Sequence, residues 1–413
     1  MKILVLGNGG REHALAFILR REGHRVTVAP GNAGMVASGL ATCPMDIRSV
    51  RDAVKVCRSL EVDLVVVGPE DPLALGVADA LRAEGFRVVG PDRDGSRLES
   101  SKAFAKRAMT EAHVPTARAV LARDEGDLVQ ALAALDGDVV LKADALAQGK
   151  GVVVPENREE AVRAGRDLLE RFGPLIVEER LAGEEVSLMV LTDGVRVTPL
   201  PLGRDHKRRH EGGTGPMTGG MGAVAPIGDM RRSRELVEET ILPLLDWLRW
   251  ARISYRGFLY AGLMLTPAGP RVLEFNVRLG DPEAEVLLPL IKEGMAERLL
   301  GLAEGRLEET PLPLSGRLAC GVVVASAGYP VKPRTGQQVR LEGDIGGEEH
   351  LFWAGVAGDG PRLTVAGGRV AVAVGQGTSR DEAKDRAYSL AGRVRFEDAA
   401  FRKDVDWPAG DPV

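Results

Sequence analysis

Cysteine and aromatic residues are scarce in this 413-residue sequence, and neither sign of charge dominates it. The three cysteines, Cys43, Cys57 and Cys320, are far apart and odd in number, which excludes a disulfide framework and a C-x-x-C zinc site. Aromatic residues make up 4% and the formal net charge is -5, so the basic stripes and stacking surfaces of a nucleic-acid-binding protein are missing.

Long apolar runs are also missing, and the N-terminus enters a strand without the basic region or cleavage site of a signal peptide. No run approaches the roughly 18 residues of a membrane span. We therefore predict a cytoplasmic protein that binds neither nucleic acid nor membrane. The composition does not exclude small anionic ligands, because their binding needs only a local cluster of charge.

The composition predicts several folded domains. Hydrophobic residues make up 44% and charged residues 27%, an ordinary globular balance. At roughly 150 residues per domain the chain divides into two to four domains. The pattern of elements places the domains at residues 1–115, 116–190, 191–325 and 326–413.

The first domain shows strands alternating with helices. The apolar run at residues 2–6 ends in Gly7-Asn8-Gly9-Gly10, and apolar residues then recur at helical spacing. Two further strands, at 63–67 and 87–89, each end in Gly-Pro. This order predicts a Rossmann-like parallel sheet, with its loops gathered at the strand C-termini where ligands bind.

The later domains are predicted as α+β and strand-rich. The second domain is a small α+β unit with helices at 127–135 and 158–172 and strands at 139–142, 152–154 and 175–178. The central domain has a Gly-rich loop at 212–222, an amphipathic helix at 233–250 and a hairpin of 258–265 with 271–278. After Cys320 the chain is strand-rich, with a last helix from about Thr378 that Ser379 and Glu382 cap.

The stretch VLEFNVRLGDPE, residues 272 to 283, carries an unusual polar face. A strand of period two would put Leu273, Phe275 and Val277 on one face. The other face would then present Glu274, Asn276 and Arg278. The ordinary explanation of such alternation is a solvated strand face. The mixed charge beside a rigid Gly-Asp-Pro loop favours a binding site instead. An acid and an amide offer hard oxygen ligands to Mg²⁺. An arginine binds a carboxylate or a phosphoryl group in a bidentate manner.

Two glycine-containing loops are candidates for phosphate binding. The first, residues 7–10, lacks the third glycine of the dinucleotide fingerprint because Glu12 stands there. A single phosphate at the free amides of the helix N-terminus and a plain tight turn are equally good interpretations. The second, VVLKADALAQGKGVVV, places Lys142 and Lys150 around Gly149 and Gly151, where they could grip a polyphosphate. An ordinary surface hairpin is the alternative.

Two further segments carry clustered charge. A buried strand delivers Glu178 and Glu179 to a turn, where they could accept hydrogen bonds from adenine or ribose or simply be solvated. The basic run 204–210 precedes the glycine-rich loop and predicts a lid over phosphates. Zinc binding by His206 and His210 is a weak competitor, because the flanking glycines and proline argue against a helix.

These motifs together resemble the ATP-grasp ligases, and most closely the phosphoribosylamine-glycine ligases (glycinamide ribonucleotide synthetases). The resemblance runs nearly end to end. Its carriers are LGNGGREHAL (6–15), PGNAG (30–34), VGPEDPL (67–73), SKAF (101–104), LKADALAQGKGV (141–152), DHKR (205–208), TGPMTGGMGA (214–223), GFLYAGLML (257–265) and EFNVRLGDPE (274–283). The chain departs from the usual motifs at Ala145, Gln148, Gly213 and Met217.

The resemblance implies an ATP-grasp fold, ATP with Mg²⁺ or Mn²⁺ as cofactors, and roles for particular residues. Catalysis is assigned to Lys142, Asp205, Lys207 and Arg278. ATP binding is assigned to Lys102, Lys142, Gly149, Lys150, Gly151, Glu178, Glu179, Leu181 and Glu185. Substrate binding is assigned to Asn8, Gly9, Gly10, Glu70, Asp71, Asp205, Arg278, Gly280 and Asp281. The metal ligands are Glu274 and Asn276.

The implied reaction joins glycine to 5-phosphoribosylamine through glycyl phosphate, in de novo purine biosynthesis. The resemblance also raises a transient contact with the amidotransferase that produces phosphoribosylamine. Three other interpretations stay open. A nicotinamide oxidoreductase rests on the first domain alone, a non-catalytic ATP-binding homologue rests on the loop substitutions, and an ATP-grasp carboxylase is disfavoured by the residues at 205–222.

Overall fold

The computed structural model describes residues 1–135, 137–145, 151–359 and 362–410. Within these ranges, every helix is too short or too polar to reach across a lipid bilayer. The fold is mixed α/β, with a parallel sheet at the N-terminus and antiparallel sheets in the rest of the described chain. This confirms the predicted fold class.

The N-terminal part is a five-stranded parallel sheet covered by helices. Its strands are β1 (Lys2–Gly7), β2 (Arg25–Pro30), β3 (Ala41–Thr42), β4 (Leu64–Val67) and β5 (Val88–Val89), in the spatial order β3-β2-β1-β4-β5. Its helices are α1 (Gly10–Arg21), α2 (Ala33–Ala37), α3 (Val50–Leu60), α4 (Glu70–Ala74), α5 (Val77–Ala83), α6 (Arg97–Ser100) and α7 (Lys102–Glu111). The strand order reverses between β1 and β4. The loops after these two strands therefore open into the crevice where doubly wound sheets bind ligands.

A small lid follows and has its own hydrophobic core. Its strands are β6 (Ala119–Ala122), β7 (Val139–Ala143), β8 (Val152–Val153) and β9 (Leu175–Glu179), in the order β6-β9-β7-β8. Its helices are α8 (Glu125–Ala134) and α9 (Arg158–Phe172). Both begin at a side-chain cap, Asp124 and Asn157, whose carboxylate and amide oxygens accept hydrogen bonds from the first helical turn. The apolar faces of both helices pack on the sheet in a cluster formed by lid residues alone.

The rest of the described chain contains a large nine-stranded antiparallel sheet, with a separate four-stranded and a separate two-stranded antiparallel sheet. The central strands are β10 (Glu184–Thr192), β11 (Val197–Pro199), β12 (Leu202–Asp205), β13 (Arg208–His210), β14 (Thr214–Met217), β15 (Gly222–Ile227), β16 (Gly257–Thr266) and β17 (Gly269–Asn276). The central helices are α10 (Met230–Leu236), α11 (Leu242–Trp250), α12 (Glu283–Leu287) and α13 (Met295–Ala303). The remaining strands are β18 (Leu318–Ala325), β19 (Gln338–Leu341), β20 (Glu349–Trp353), β21 (Val356–Asp359), β22 (Arg362–Val365), β23 (Arg369–Gly377) and β24 (Val394–Arg395), and the last helix is α14 (Arg380–Arg393).

Strand β18 joins the central and C-terminal parts. It pairs with β15 on one side and with β23 on the other, so a single sheet runs β17-β16-β10-β12-β15-β18-β23-β20. All eight residues of β18 are buried. The predicted boundary at residue 325 falls at the end of this shared strand, and the four-domain division stays a prediction.

Three predicted elements differ in detail from the observed ones. The amphipathic helix begins at Met230 and is interrupted at Val237–Ile241 by a π-helical turn. The reason is Pro243, which has no N–H to donate to the preceding turn. The glycine-rich loop contains strand β14, which pairs with β13 in a separate two-stranded sheet.

The third difference lies in β17. The register of β16 with β17 shifts between Gly262 and Leu263, so that Leu273 is an extra residue between the paired Val272 and Glu274. Such a bulge breaks the strict alternation of a strand. Val272 therefore joins Phe275 and Val277 in the core, and Leu273 lines the cleft instead. The prediction that Leu273 shares the apolar face of Phe275 and Val277 was wrong.

Candidate active site

A deep cleft lies where the N-terminal sheet, the lid, the central sheet and the C-terminal part meet. Its volume is about 1320 Å³, and residues from all four parts line it. Most of the residues predicted from the sequence line this cleft: Asn8, Gly9, Glu70, Lys102, Lys142, Gly151, Glu178, Glu179, Leu181, Glu185, Asp205, Lys207, Glu274, Asn276, Arg278, Gly280 and Asp281. Gly149 and Lys150 lie outside the described residues.

On the lid side, Lys142 is held by a buried carboxylate. Strand β7 carries Lys142, and its Nζ lies 2.9 Å from Glu178 Oε2 and donates to the Leu273 carbonyl at 2.9 Å. Glu178 also lies 3.3 Å from Lys106, so one acid serves two lysines. Burial lowers the pKa of Lys106, and the Glu178 carboxylate opposes that shift. The result is a net positive wall that suits a polyphosphate.

The segment after β9 lines the mouth of the cleft between the lid and the central sheet. Glu179 does not point freely into it, because its carboxylate accepts hydrogen bonds from the Arg118 N–H at 2.9 Å and from Arg118 Nε at 2.9 Å. Leu181 is partly buried, and Lys102 is the first residue of α7. Asp144 ties this helix to the lid, since its Oδ1 accepts from the Ala103 N–H at 3.0 Å.

The polar face of β17 lies beside Lys142, which donates to the Leu273 carbonyl of that strand. Asn276 is buried, and its Oδ1 accepts a hydrogen bond from Arg278 Nη2 at 3.1 Å. Within the part of the chain that the structure describes, no hydrogen-bond donor contacts the Glu274 carboxylate. Burial alone would raise the pKa of Glu274, but the ammonium groups of Lys207, Lys142 and Lys102 outweigh burial and lower it. Glu274 is therefore an ionised carboxylate with its oxygens available.

Arg278 is fixed by two acids from the N-terminal part. Its Nη2 lies 2.8 Å from Glu99 Oε1 and its Nε donates to Glu70 Oε2 at 3.1 Å. Burial lowers the pKa of Arg278, but Glu99 and Glu70 outweigh this effect and raise it. Burial also raises the pKa of Glu99 to about 7, despite the neighbouring guanidinium. The guanidinium is thus charged and locked in one orientation.

Asp205 ends β12 and Lys207 follows two residues later, and both line the cleft. Lys207 Nζ donates to Glu185 Oε1 at 2.5 Å and lies 3.7 Å from Asp205 Oδ1. Burial raises the pKa of Asp205 to about 8; Lys207 opposes this shift, and the nearby Glu283, Glu185 and Glu274 add to it. Asp205 and Glu185 act against the burial of Lys207 and raise its pKa well above the ordinary value. This cluster is rich in acids and therefore favours the binding of a cation.

The loop after β1 is less open to anions than its glycines suggest. Glu12 Oε2 accepts a hydrogen bond from the Gly9 N–H at 2.7 Å, and Glu12 Oε1 lies 2.6 Å from Arg11 Nε. The expectation that the loop amides are free was therefore wrong at Gly9. Its N–H donates to Glu12, the residue that stands in place of the third glycine of the fingerprint. Gly10 is buried as the first residue of α1 and does not line the cleft.

Two substrate-binding predictions concern the acids Asp71 and Asp281, of which only Asp281 lines the cleft. Asp71 does not line it and instead pairs with Arg48 at 3.0 Å. Asp281 does line it, and its Oδ1 lies 3.1 Å from Arg369 Nη1, which also donates to the Asp281 carbonyl at 2.7 Å. Gly280 packs directly against the side chain of Glu283.

Sequence reasoning missed several cleft residues. Lys106 lies one helical turn after Lys102, so the i, i+4 spacing on one helix face was a usable signal. Glu99, Arg369 and Tyr329 had none, because they reach the cleft only through the packing of distant segments. His206 does not support the zinc alternative, because its Nε2 accepts a hydrogen bond from the Asp406 N–H at 3.4 Å. Burial also lowers the pKa of His206 to about 4.

Three models of one protein family match consecutive parts of this chain. The N domain of phosphoribosylglycinamide synthetase matches residues 1–99, its ATP-grasp (A) domain matches residues 100–284, and its C domain matches residues 319–408. Together they extend over most of the chain, in the order of the family.

Known proteins agree with the family models. A phosphoribosylamine-glycine ligase from Streptomyces coelicolor is 41% identical over 414 residues, which cover 98% of each chain. A crystal structure of a phosphoribosylamine-glycine ligase from Thermotoga maritima matches with a TM-score of 0.86 and 34% identity, covering 98% of this chain and 100% of that one. The biotin carboxylase domain of 2-oxoglutarate carboxylase from Hydrogenobacter thermophilus, in complex with MgADP, matches with a TM-score of 0.74 at 16% identity, covering 97% and 91%, and so shares the fold.

Proposed function

The chain belongs to the phosphoribosylglycinamide synthetase family, and we propose that it is an ATP-dependent carbon-nitrogen ligase of de novo purine biosynthesis. It joins glycine to 5-phosphoribosylamine and releases glycinamide ribonucleotide, ADP and phosphate. The observation that supports this most is the cleft itself, because Glu274, Asn276, Arg278 and Lys142 all line it. The nicotinamide oxidoreductase alternative finds no support in the comparisons.

ATP is proposed to lie between the lid and the central sheet. Lys142, Lys102 and Lys106 supply positive charge for the phosphates on one wall. The backbone at Glu179 to Leu181, with Glu185, borders the space left for adenine and ribose. Gly149, Lys150 and Gly151 belong to the proposed phosphate-binding loop, of which the structure describes Gly151. Because Glu178 is engaged with two lysines, its proposed role is to hold them rather than to contact adenine.

Glu274 and Asn276 fit a divalent cation. The Glu274 carboxylate is ionised and accepts no hydrogen bond from the described residues, and the Asn276 amide oxygen has a second lone pair. Both are hard oxygen ligands of the kind that Mg²⁺ and Mn²⁺ prefer. The bound ion would neutralise charge on the phosphate groups. We propose Mg²⁺ or Mn²⁺ as the cofactor, and the two are compared in the assay below.

The proposed chemistry needs no nucleophilic side chain. The glycine carboxylate attacks the γ-phosphorus and forms glycyl phosphate, with ADP as the leaving group. The phosphoribosylamine nitrogen then attacks the glycyl carbonyl, phosphate leaves, and the nitrogen loses a proton. The chain contributes position and charge through Lys142, Lys207 and Arg278, as in other phosphoryl transfers. Asp205 is proposed to orient Lys207 beside the reacting groups.

Phosphoribosylamine is proposed to enter from the side of the N-terminal sheet. Asn8, Gly9 and Glu70 line the cleft there, and Asp281, which follows Gly280 in the chain, lies next to Gly9. Gly10 and Asp71 can act only indirectly, by shaping this rim. A transient contact with the amidotransferase that makes phosphoribosylamine, and a cytoplasmic location, stay predictions.

A phosphate-release assay tests the proposed function. ATP and Mg²⁺ are supplied with glycine and phosphoribosylamine, separately and together, and the series is repeated with Mn²⁺. We expect rapid phosphate release only when both substrates are present. ATP binding without ADP release would favour a non-catalytic homologue. Release that depends on bicarbonate would favour a carboxylase.

A further inference from the structure

The last described residues of the chain return to the cleft. Six residues of the segment after β24 line it: Arg402, Asp404, Asp406, Trp407, Pro408 and Ala409. We call residues 402–407 the terminal segment. It lies against the stretch from β12 to β15, which carries Asp205 and Lys207 at its start and the glycine-rich hairpin β13–β14 in its middle. The proposed mechanism does not use the terminal segment.

An ion pair between the buried Arg402 and the half-buried Asp404 connects the terminal segment to the hairpin. Arg402 is 5% exposed and holds both oxygens of Asp404, at 2.7 Å from Nε and 2.6 Å from Nη2. Arg402 Nη1 also donates to the Arg208 carbonyl at 3.0 Å. Asp404 Oδ2 accepts from the Gly212 N–H at 2.8 Å. One ion pair thus holds the start of β13 and the turn that follows it.

The rest of the terminal segment holds the two ends of the same stretch. The Asp406 N–H donates to His206 Nε2 at 3.4 Å, one residue from Asp205. Val405 is fully buried against Gly222, where an added Cβ would approach the valine to 2.6 Å. Trp407 Nε1 donates to the Pro226 carbonyl at 2.9 Å. The contacts therefore extend from β12 to β15.

We propose that Arg402 and Asp404 are positioning residues, which hold the glycine-rich hairpin 208–217 in the conformation that completes the cleft. The inference rests on the proposed function for its catalytic consequence. The hairpin needs an external anchor because Gly212, Gly213 and Gly215 all have positive φ. Such backbone has many alternative conformations and no side chains to select one, so an external anchor must do so.

The strength of this anchor comes from its charge and its burial. A hydrogen bond to a carboxylate is about twice as strong as a neutral one, and Asp404 stays ionised because the Arg402 guanidinium lowers its pKa. The pair also lies inside the protein on the Arg402 side, where water competes little. Losing the carboxylate would free the Gly212 amide and leave a buried guanidinium without its partner.

Hydrogen exchange and steady-state kinetics on the full-length protein test the inference. In Asp404→Ala, we expect amide exchange in 208–217 to quicken by about tenfold or more, and kcat/KM for the ligase reaction to fall by a similar factor. Asp404→Asn keeps an oxygen for the Gly212 amide, so it should restore part of both quantities. Lys403→Ala is the control, because Lys403 is the exposed neighbour of both residues and should change neither.

Each outcome supports or overturns the inference. Unchanged exchange in 208–217 in Asp404→Ala, or an equal effect of Lys403→Ala, would overturn it. Faster exchange with unchanged kcat/KM would show a merely structural contact and would overturn the positioning role. If the wild-type protein has no ligase activity, the proposed function fails. The exchange result would then still report on the anchor by itself.

Discussion

At the residue scale, the cleft is held together by buried charges in pairs. Glu178 serves Lys142 and Lys106, and Arg278 lies between Glu70 and Glu99. Removing one member of such a set leaves the others buried without compensation, which costs more than the contact itself gains. Single substitutions here should therefore change binding and stability together. The exception is a residue whose side chain has no hydrogen-bond or ion-pair partner among the residues that the structure describes.

Glu274 is that exception, and we expect Glu274→Ala to abolish metal-dependent turnover without unfolding the protein. The carboxylate has no donor among the described residues, and the neighbouring Phe275 stays packed in the core. Loss of the metal ligand should lower kcat by more than about a hundredfold. Arg271→Ala, on the same strand but outside the cleft lining, is the control and should stay active. Retained metal-dependent activity in Glu274→Ala would remove it from the metal site.

Lys142→Ala should weaken ATP binding and also lower stability. The substitution removes positive charge from the proposed phosphate wall and leaves Glu178 with Lys106 as its remaining ion-pair partner. We expect the Kd for ATP, measured by calorimetry, to rise by about tenfold or more. Lys55→Ala removes an exposed lysine far from the cleft and should leave the Kd unchanged. An ATP affinity equal to that of the wild type would exclude Lys142 from the site.

Glu285 predicts a dependence of stability on pH. The residue is fully buried, and no described residue donates a hydrogen bond to either carboxylate oxygen. Burial and the neighbouring Asp281 raise its pKa well above the ordinary value, while Arg369 opposes the shift. The folded state therefore binds a proton that the unfolded state releases above about pH 4.3. Stability is lost as pH rises from there toward the pKa in the folded state.

Glu285→Gln should remove this loss, because an amide of the same size stays neutral at every pH. We expect the difference in melting temperature, variant minus wild type, to increase from pH 5 to pH 8. Each unit by which folding raises the pKa is worth about 1.4 kcal/mol. Glu84→Gln, on the surface and paired with Arg58, is the control. A difference that is the same at both pH values would show that Glu285 is already ionised.

At the element scale, the terminal helix α14 depends on its first turn. Ser379 Oγ accepts from the Glu382 N–H at 3.2 Å, and Glu382 Oε2 accepts from the Thr378 N–H at 2.6 Å. Ser379→Ala should therefore lower the free energy of unfolding by about 1 kcal/mol, as measured by urea denaturation. Ser379→Asp keeps an acceptor at the cap and should retain that stability. Ligase activity should not change in either variant, because α14 lies outside the cleft.

Regular elements were the part of the fold that the sequence could predict. The strand at 175–178, the helix at 158–172 and the cap at Ser379 are each determined by local periodicity or by one side chain. The bulge at Leu273 was not predictable, because it results from pairing with β16 and not from the sequence of β17. The same limit applies to the site. Motifs identified Lys142 and Glu274, while Glu99 and the terminal segment enter only through tertiary packing.

At the scale of the whole molecule, the strands and cores predict two units that unfold separately. The lid has a hydrophobic cluster of its own residues, whereas β18 lies between β15 and β23 in a single sheet. The central and C-terminal strands should therefore share one free energy of opening. The free energy of lid opening should be smaller than this shared value, because lid opening breaks only the contacts around the cleft.

Two core substitutions separate the units. Leu128→Ala leaves a cavity in the lid, where the residue is fully buried, and should cost about 2–5 kcal/mol there. Val323→Ala leaves a smaller cavity in the middle of β18. We expect hydrogen exchange after Leu128→Ala to quicken in 119–179 alone, and after Val323→Ala to quicken in β15 and β23 together. If Val323→Ala affects β23 without β15, the C-terminal part opens as an independent unit and the shared sheet does not set its stability.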